Sequence, residues 1–233
     1  MTTRHFLSLL DLSADEIRSI VDRAIELKAN LGKPGQPEFM RGKTAVLVFE
    51  KSSTRTRVSF ETGIGHFGGN AIFLAPSDSH LSRGESLEDT ARVLSRMADL
   101  IIMRTGPHPR IETMAANASV PVINALSDYN HPCQILADIQ AFTEHHGSIK
   151  GHKVAWIGDG NNVCHSWMNA ARLLEFELHI ATPVDHQPSS LLIEQCADFI
   201  VLTEDPFAAC QGACLCLDAS GPPKPPRPRW HLI

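Results

Sequence analysis

Basic charge is in short supply in this chain: 21 lysines and arginines stand against 26 acidic residues, a formal net charge of −5. A nucleic-acid partner wants a basic face, so that class is set aside. Long apolar runs are missing too. The longest are of strand length, too short to cross a bilayer, and no membrane role is expected. The first residues, Met1-Thr2-Thr3-Arg4-His5-Phe6, lack the apolar core of a secretion signal, so a cytoplasmic protein is the default. Six cysteines without such a signal do not make a disulfide framework. Cys133, Cys164 and Cys196 fall within patterned segments and read as small buried hydrophobes. Cys210, Cys214 and Cys216 lie close together, but no neighbouring pair of ligands completes a metal site, and none is assigned.

What remains is an ordinary globular composition, 43% hydrophobic and 20% charged, in a length sufficient for a sizeable core. Ser13-Ala14-Asp15-Glu16 is a capping box and opens a helix with Ile17, Ile20, Val21, Ala24 and Leu27 on one side. Apolar strands are predicted at 44–49, 70–74, 99–103 and 120–125. Helices between them begin after Thr54, from Glu85 and at 111–118, and another runs over 134–146. A second series starts at Lys153, with strands at 153–158, 177–181 and 199–202 and helices near 163–176 and 190–196. Alternation of this kind predicts an α/β chain of two domains, each with a parallel sheet flanked by helices. The boundaries are set at 1–147, 148–213 and an irregular segment, 214–233. Within that segment, 221–229 holds five prolines and has neither helix nor strand period.

The densest chemistry lies in Phe49-Glu50-Lys51-Ser52-Ser53-Thr54-Arg55-Thr56-Arg57-Val58-Ser59-Phe60-Glu61. It falls at a strand-to-helix turn. The first N–H groups of a helix lack internal acceptors and the helix dipole favours an anion there. Hydroxyls of Ser53, Thr54 and Thr56 add donors, and the Arg55 guanidinium can meet phosphate oxygens as a fork. A helix cap alone needs one hydroxyl and no arginine, so a phosphate site is the better reading. It is not the Walker type, since no G-x-x-x-x-G-K-[ST] occurs. Ligands of open α/β sheets sit beyond the carboxyl ends of strands. There the third strand delivers Arg104 and the fourth leads to His131-Pro132-Cys133-Gln134. Gly158-Asp159-Gly160-Asn161-Asn162 follows a strand as well, but Val163 stands where a dinucleotide fingerprint needs its third glycine.

These motifs together resemble the carbamoyl phosphate site of the transcarbamylases. The flanking Phe-Glu-Lys and Ser-Phe-Glu, with His-Pro-x-Gln, are similar to the ornithine carbamoyltransferase family, and the likeness runs to about residue 212. It implies that Ser53, Thr54, Arg55 and Thr56 hold the phosphate. Arg104 would bridge phosphate and carbonyl oxygen, His131 and Thr56 would help polarise that oxygen, and Gln134 would hold the carbamoyl amide. Asn162 would contact L-ornithine, and His80 would reach a neighbouring subunit's site in a homotrimer. The reaction implied is carbamoyl transfer from carbamoyl phosphate to L-ornithine, giving L-citrulline, with no metal or organic cofactor. Transfer to another amine such as aspartate is the alternative, although the aspartate enzymes carry a lysine in the mobile loop where this chain has His80. From a different class, the chain would be a non-catalytic product that binds carbamoyl phosphate or joins trimers. The family's later Asp…Ser-Met-Gly and His-Cys-Leu-Pro segments do not occur in the sequence. The abrupt change near Ala213 is read as a frameshift or truncation, and very poor turnover of ornithine, or none, is expected.

Overall fold

The computed structural model describes residues 3–75 and 84–218. The chain divides into two compact units, one ending at Ile149 and the next beginning at Lys150.

In the first unit, α1 (Ala14–Asn30) starts at the expected capping box. The Ser13 hydroxyl accepts from the Glu16 N–H, and the Glu16 carboxylate accepts from the Ser13 N–H. Ile17 and Val21 of this helix are buried, and it lies against α5 (Pro132–His146) with a Lys28–Glu144 ion pair of 2.6 Å. Four strands, β1 (Thr44–Phe49), β2 (Asn70–Leu74), β3 (Leu100–Arg104) and β4 (Val122–Leu126), form one sheet in the order β2-β1-β3-β4. Every pairing is parallel. Side chains alternate between the two faces of a strand, and both faces are covered here. Ala45, Leu47 and Phe49 pack with Ile64 of α2 (Thr54–His66) on one side. Val46, Val48 and Met103 pack with α3 (Leu87–Met97) and α4 (His108–Asn117) on the other. A strand buried on both faces must be apolar at every position, which accounts for the unbroken runs.

The chain leaves β1 through α2 towards one edge of the sheet and leaves β3 through α4 towards the other. The switch therefore falls between β1 and β3, whose last residues Phe49 and Arg104 are in register. That is where an open parallel sheet leaves a crevice for a ligand.

The second unit has the same plan. Strands β5 (Lys153–Ile157), β6 (Glu177–Ala181), β7 (Ile200–Thr203) and β8 (Leu215–Asp218) pair in parallel in the order β7-β6-β5-β8. Helices α6 (Asn162–Leu174), α7 (Ser190–Gln195) and α8 (Pro206–Cys210) connect them. Trp167 of α6 is fully buried and meets Phe176 edge to face at 5.8 Å. Ala209 of α8 packs on Ala155 and Ala181.

Several boundaries differ from expectation, each for a visible reason. Helix α4 begins at His108 rather than 111, because the Asp128 carboxylate accepts from the His108 N–H at 3.0 Å, a cap supplied from 20 residues away. Helix α5 begins at Pro132, since proline at the first helical position forfeits no hydrogen bond. The short α8, capped by Asp205 with Pro206 behind it, was not anticipated. The irregular segment placed at 214–233 is corrected for its first part. Leu215–Asp218 form β8 beside β5, with the Cys214 N–H donating to Lys153 O at 2.9 Å. Three apolar residues beside a central strand gain more from pairing than the nearby prolines can prevent. Residues 221–229, and the polar loop with His80, lie outside the described residues.

Candidate anion-binding site

Helix α2 starts immediately beyond β1, and its first turn holds the sequence-predicted hydroxyls. Ser53 is the N-cap: its Oγ accepts from the Thr56 N–H at 3.3 Å and donates to Thr56 Oγ1 at 2.9 Å. One of the free helix donors is thereby satisfied, and the N–H groups of Thr54 and Arg55 are left without intrahelical acceptors. Thr54 and Arg55 are exposed, and Arg55 forms no ion pair among the described residues. Arg57, two residues on, is committed elsewhere. Its Nε donates to Glu61 at 2.9 Å and its guanidinium lies 3.7 Å from the centroid of the Phe73 ring.

Arg104 ends β3. The register of β3 with β4 shifts between Met103 and Arg104, so that Arg104 pairs with Leu126. A bulge of this kind re-aims a side chain at the rim of a sheet. The Arg104 Nη1 donates to Thr56 Oγ1 at 3.3 Å. Its Nε is buried and has no hydrogen-bond partner among the described residues. Burial lowers its pKa from the ordinary arginine value. A half-buried guanidinium with no carboxylate beside it is expensive to hold unless an anion completes it.

His131 precedes α5 in an open backbone conformation, φ −135° and ψ 65°. Burial, and then the positive charge of Arg104, hold its imidazole down at about 4. At neutral pH it is therefore an uncharged ring, able to donate a hydrogen bond without adding a second cation. Gln134, in the first turn of α5, is exposed, and its Nε2 donates to Asp138 Oδ1 at 2.9 Å. With its donor nitrogen occupied in this way, the amide offers its oxygen as an acceptor. Ser53, Thr56 and Arg104 are thus in contact, and His131 feels the charge of Arg104. His80 lies outside the described residues.

Asn162 belongs to the second unit, at the first position of α6. Asn161 before it is the cap, its Oδ1 accepting from Val163 N–H at 2.9 Å and Cys164 N–H at 3.2 Å. A Cβ on Gly160 would lie 2.3 Å from Pro188 N, so this glycine is required for close packing of its own loops. That accounts for Gly160 without a dinucleotide, and Gly158 has a positive φ of 123° that favours glycine by itself.

Three residues escaped the sequence reading. The Glu50 carboxylate accepts from Thr105 Oγ1 and, at 3.1 and 2.9 Å, from Arg110 Nε. Their sequence separations of 55 and 60 residues left no local pattern. The one available signal was a carboxylate placed directly after a buried strand.

Comparison with known proteins bears on the whole chain. Residues 4–144 match the family model described as "Aspartate/ornithine carbamoyltransferase, carbamoyl-P binding domain". Residues 150–215 match the one described as "Aspartate/ornithine carbamoyltransferase, Asp/Orn binding domain". The ornithine carbamoyltransferase of Nitrosococcus oceani is 53% identical over 217 residues, 92% of this chain and 71% of that protein. The solved ornithine carbamoyltransferase of Burkholderia thailandensis superposes with a TM-score of 0.88 at 42% identity, covering 92% of this chain and 74% of that one. The catalytic subunit of the M. jannaschii aspartate transcarbamoylase gives 0.82 at 30% identity, over 93% of this chain and 73% of its own.

Proposed function

The chain belongs to the aspartate/ornithine carbamoyltransferase family, and we propose that it transfers the carbamoyl group of carbamoyl phosphate to the side-chain amine of L-ornithine, giving L-citrulline and phosphate. The amine nitrogen attacks the carbonyl carbon, the carbon–oxygen bond to phosphate breaks, and the amine's proton departs with the phosphate.

Ser53, Thr54, Arg55 and Thr56 hold the phosphate at the start of α2. Arg104 spans phosphate and carbonyl oxygen. With neutral His131 and the Thr56 hydroxyl it stabilises the negative charge that develops on that oxygen as the tetrahedral centre forms. The Gln134 oxygen accepts from the carbamoyl amide. Asn162 is assigned to L-ornithine by the family resemblance, and so is His80 to a neighbouring subunit's site. Catalysis of this kind is positioning plus electrostatic stabilisation, and the chemistry calls for no metal or organic cofactor.

One observation carries the reading of the donor substrate. A half-buried Arg104 without a carboxylate, hydrogen-bonded to Thr56, shares the start of α2 with an Arg55 that forms no ion pair among the described residues. Ornithine is preferred to aspartate as acceptor because the sequence likeness is stronger to the ornithine enzyme of Nitrosococcus oceani, at 53% identity, than to the M. jannaschii aspartate enzyme, at 30%.

A homotrimer working in the cytoplasm, in arginine metabolism, is the assembly and setting we infer. Supporting a contact with further copies, Val58 on the outer side of α2 is 54% exposed, beside a groove of about 540 Å³ lined by Arg55, Ser59, Thr62 and His66. No helix among the described residues is long and apolar enough to cross a membrane.

The test is an acceptor comparison with carbamoyl phosphate supplied in excess. Citrulline should form from ornithine well ahead of carbamoyl aspartate from aspartate. Equal or greater transfer to aspartate would overturn the assignment, and transfer to neither with carbamoyl phosphate still bound would favour the non-catalytic reading.

A further inference from the structure

Arg104 depends on how its own backbone is held, and that backbone is irregular. The bulge at Met103/Arg104 breaks the even ladder of the sheet, and residues 104–106 are then fixed by scattered bonds. The Glu50 N–H donates to Arg104 O at 2.8 Å, the Thr105 N–H to Leu126 O at 3.0 Å, and the Asp128 N–H to Gly106 O at 2.7 Å. A carboxylate grips this segment from the β1 side. The Glu50 carboxylate accepts from the fully buried Thr105 hydroxyl, and is itself clamped by the Arg110 guanidinium through Nε and Nη2. The side chains of Glu50 and Arg110 are 22% and 41% exposed, so the pair is shielded on the carboxylate side. Burial pushes the Glu50 carboxyl up, but hydrogen bonds from Arg110 and Thr105 and the charge of Arg110 outweigh it, and it stays ionised.

We infer that Glu50 is a positioning residue: clamped by Arg110 and bonded to Thr105, it fixes the bulge after β3 and so sets where the Arg104 guanidinium meets the carbonyl oxygen of carbamoyl phosphate. This rests on the assignment of Arg104 to that substrate. Arg110 has a second duty in the arrangement. It neutralises a carboxylate that would otherwise stand beside an anion site and repel the ligand.

Phosphate is held mainly by the first turn of α2, through Ser53, Thr54, Arg55 and Thr56, with Arg104 one contact among several, whereas the carbonyl contact leans chiefly on Arg104. Loss of the brace should therefore fall unequally on two ligands, which a general loss of structure would not do. The experiment measures binding of carbamoyl phosphate and of inorganic phosphate, by calorimetry or competition, to the full chain and to Glu50→Ala, Glu50→Gln and Arg104→Ala. Carbamoyl phosphate should bind Glu50→Ala about tenfold more weakly, with inorganic phosphate changed less than about threefold. Glu50→Gln, which keeps an acceptor oxygen but no charge, should fall between. If Glu50→Ala does not fold, Thr105→Val removes the hydroxyl alone and should show the same selective loss. Equal weakening of both ligands, or of neither, overturns the inference. Unchanged carbamoyl phosphate binding by Arg104→Ala would instead defeat the underlying assignment.

Discussion

The two units share a plan and differ in what their loops carry. Each has four parallel strands with a switch beside its first strand, β1/β3 in one and β5/β8 in the other. In the first unit the segments after β1 and β3 present guanidinium groups, on Arg55 and Arg104, that no carboxylate among the described residues neutralises. In the second, the charges at the corresponding place are spent locally. Asp159 after β5 lies 3.0 Å from His186, which follows β6, and Asn161 turns its oxygen back onto its own helix. One architecture thus carries the proposed anion site in one unit and a self-satisfied turn in the other. The crevice is set by topology, and the chemistry by a few side chains left unpaired.

That contrast breaks most sharply at Arg104. Arg104→Ala should weaken carbamoyl phosphate binding by about 3 kcal/mol, roughly a hundredfold, since a hydrogen bond to a charged group contributes about 1.5–3 kcal/mol and two are removed. Calorimetry checks this, and a change under tenfold would mean that α2 binds the anion unaided.

A second effect separates the units by pH. The folded-state pKa of His131 is about 4, below the ordinary histidine value of 6.5, so the unfolded chain binds more protons between the two. Stability should therefore be fully present above pH 6.5 and fall as pH drops towards 4, by about 2–3 kcal/mol from this group. Denaturant unfolding of the chain and of His131→Gln at pH 7 and pH 4.5 isolates the contribution. The variant should lose less stability on acidification, and equal losses would place the pH dependence elsewhere.

The smallest effect tests the second unit. Gly160→Ala places a methyl 2.3 Å from backbone Pro188 N, where no flexible side chain can give way. Overpacking of this kind costs about 1–3 kcal/mol. Thermal unfolding should show that loss while carbamoyl phosphate affinity stays within twofold, since the proposed anion site lies in the first unit.

Most of the sheet was legible because strands buried on both faces must be apolar throughout, as Ala45–Phe49 and Ile101–Met103 are. The turn that opens α2 was legible because hydroxyls and arginines crowd into residues 52–57, three to eight positions beyond the end of β1. Bonds between distant segments were not. The Asp128 cap of α4 and the Glu50–Arg110 clamp join residues 20 and 60 apart, and neither has a sequence period. β8 was missed for a different reason. Leu215–Asp218 is no shorter than the predicted β7, but the prolines of 221–229 led the whole of 214–233 to be read as irregular.

The most direct test of the division between the units is one calorimetric titration of carbamoyl phosphate into three proteins: the unaltered chain, Arg55→Ala and Asn162→Ala. Arg55→Ala should lose at least about tenfold in affinity through its forked phosphate contact, and Asn162→Ala should stay within about twofold of the unaltered chain. Unchanged binding by Arg55→Ala, or an equal loss in Asn162→Ala, would contradict an anion site built by the first unit.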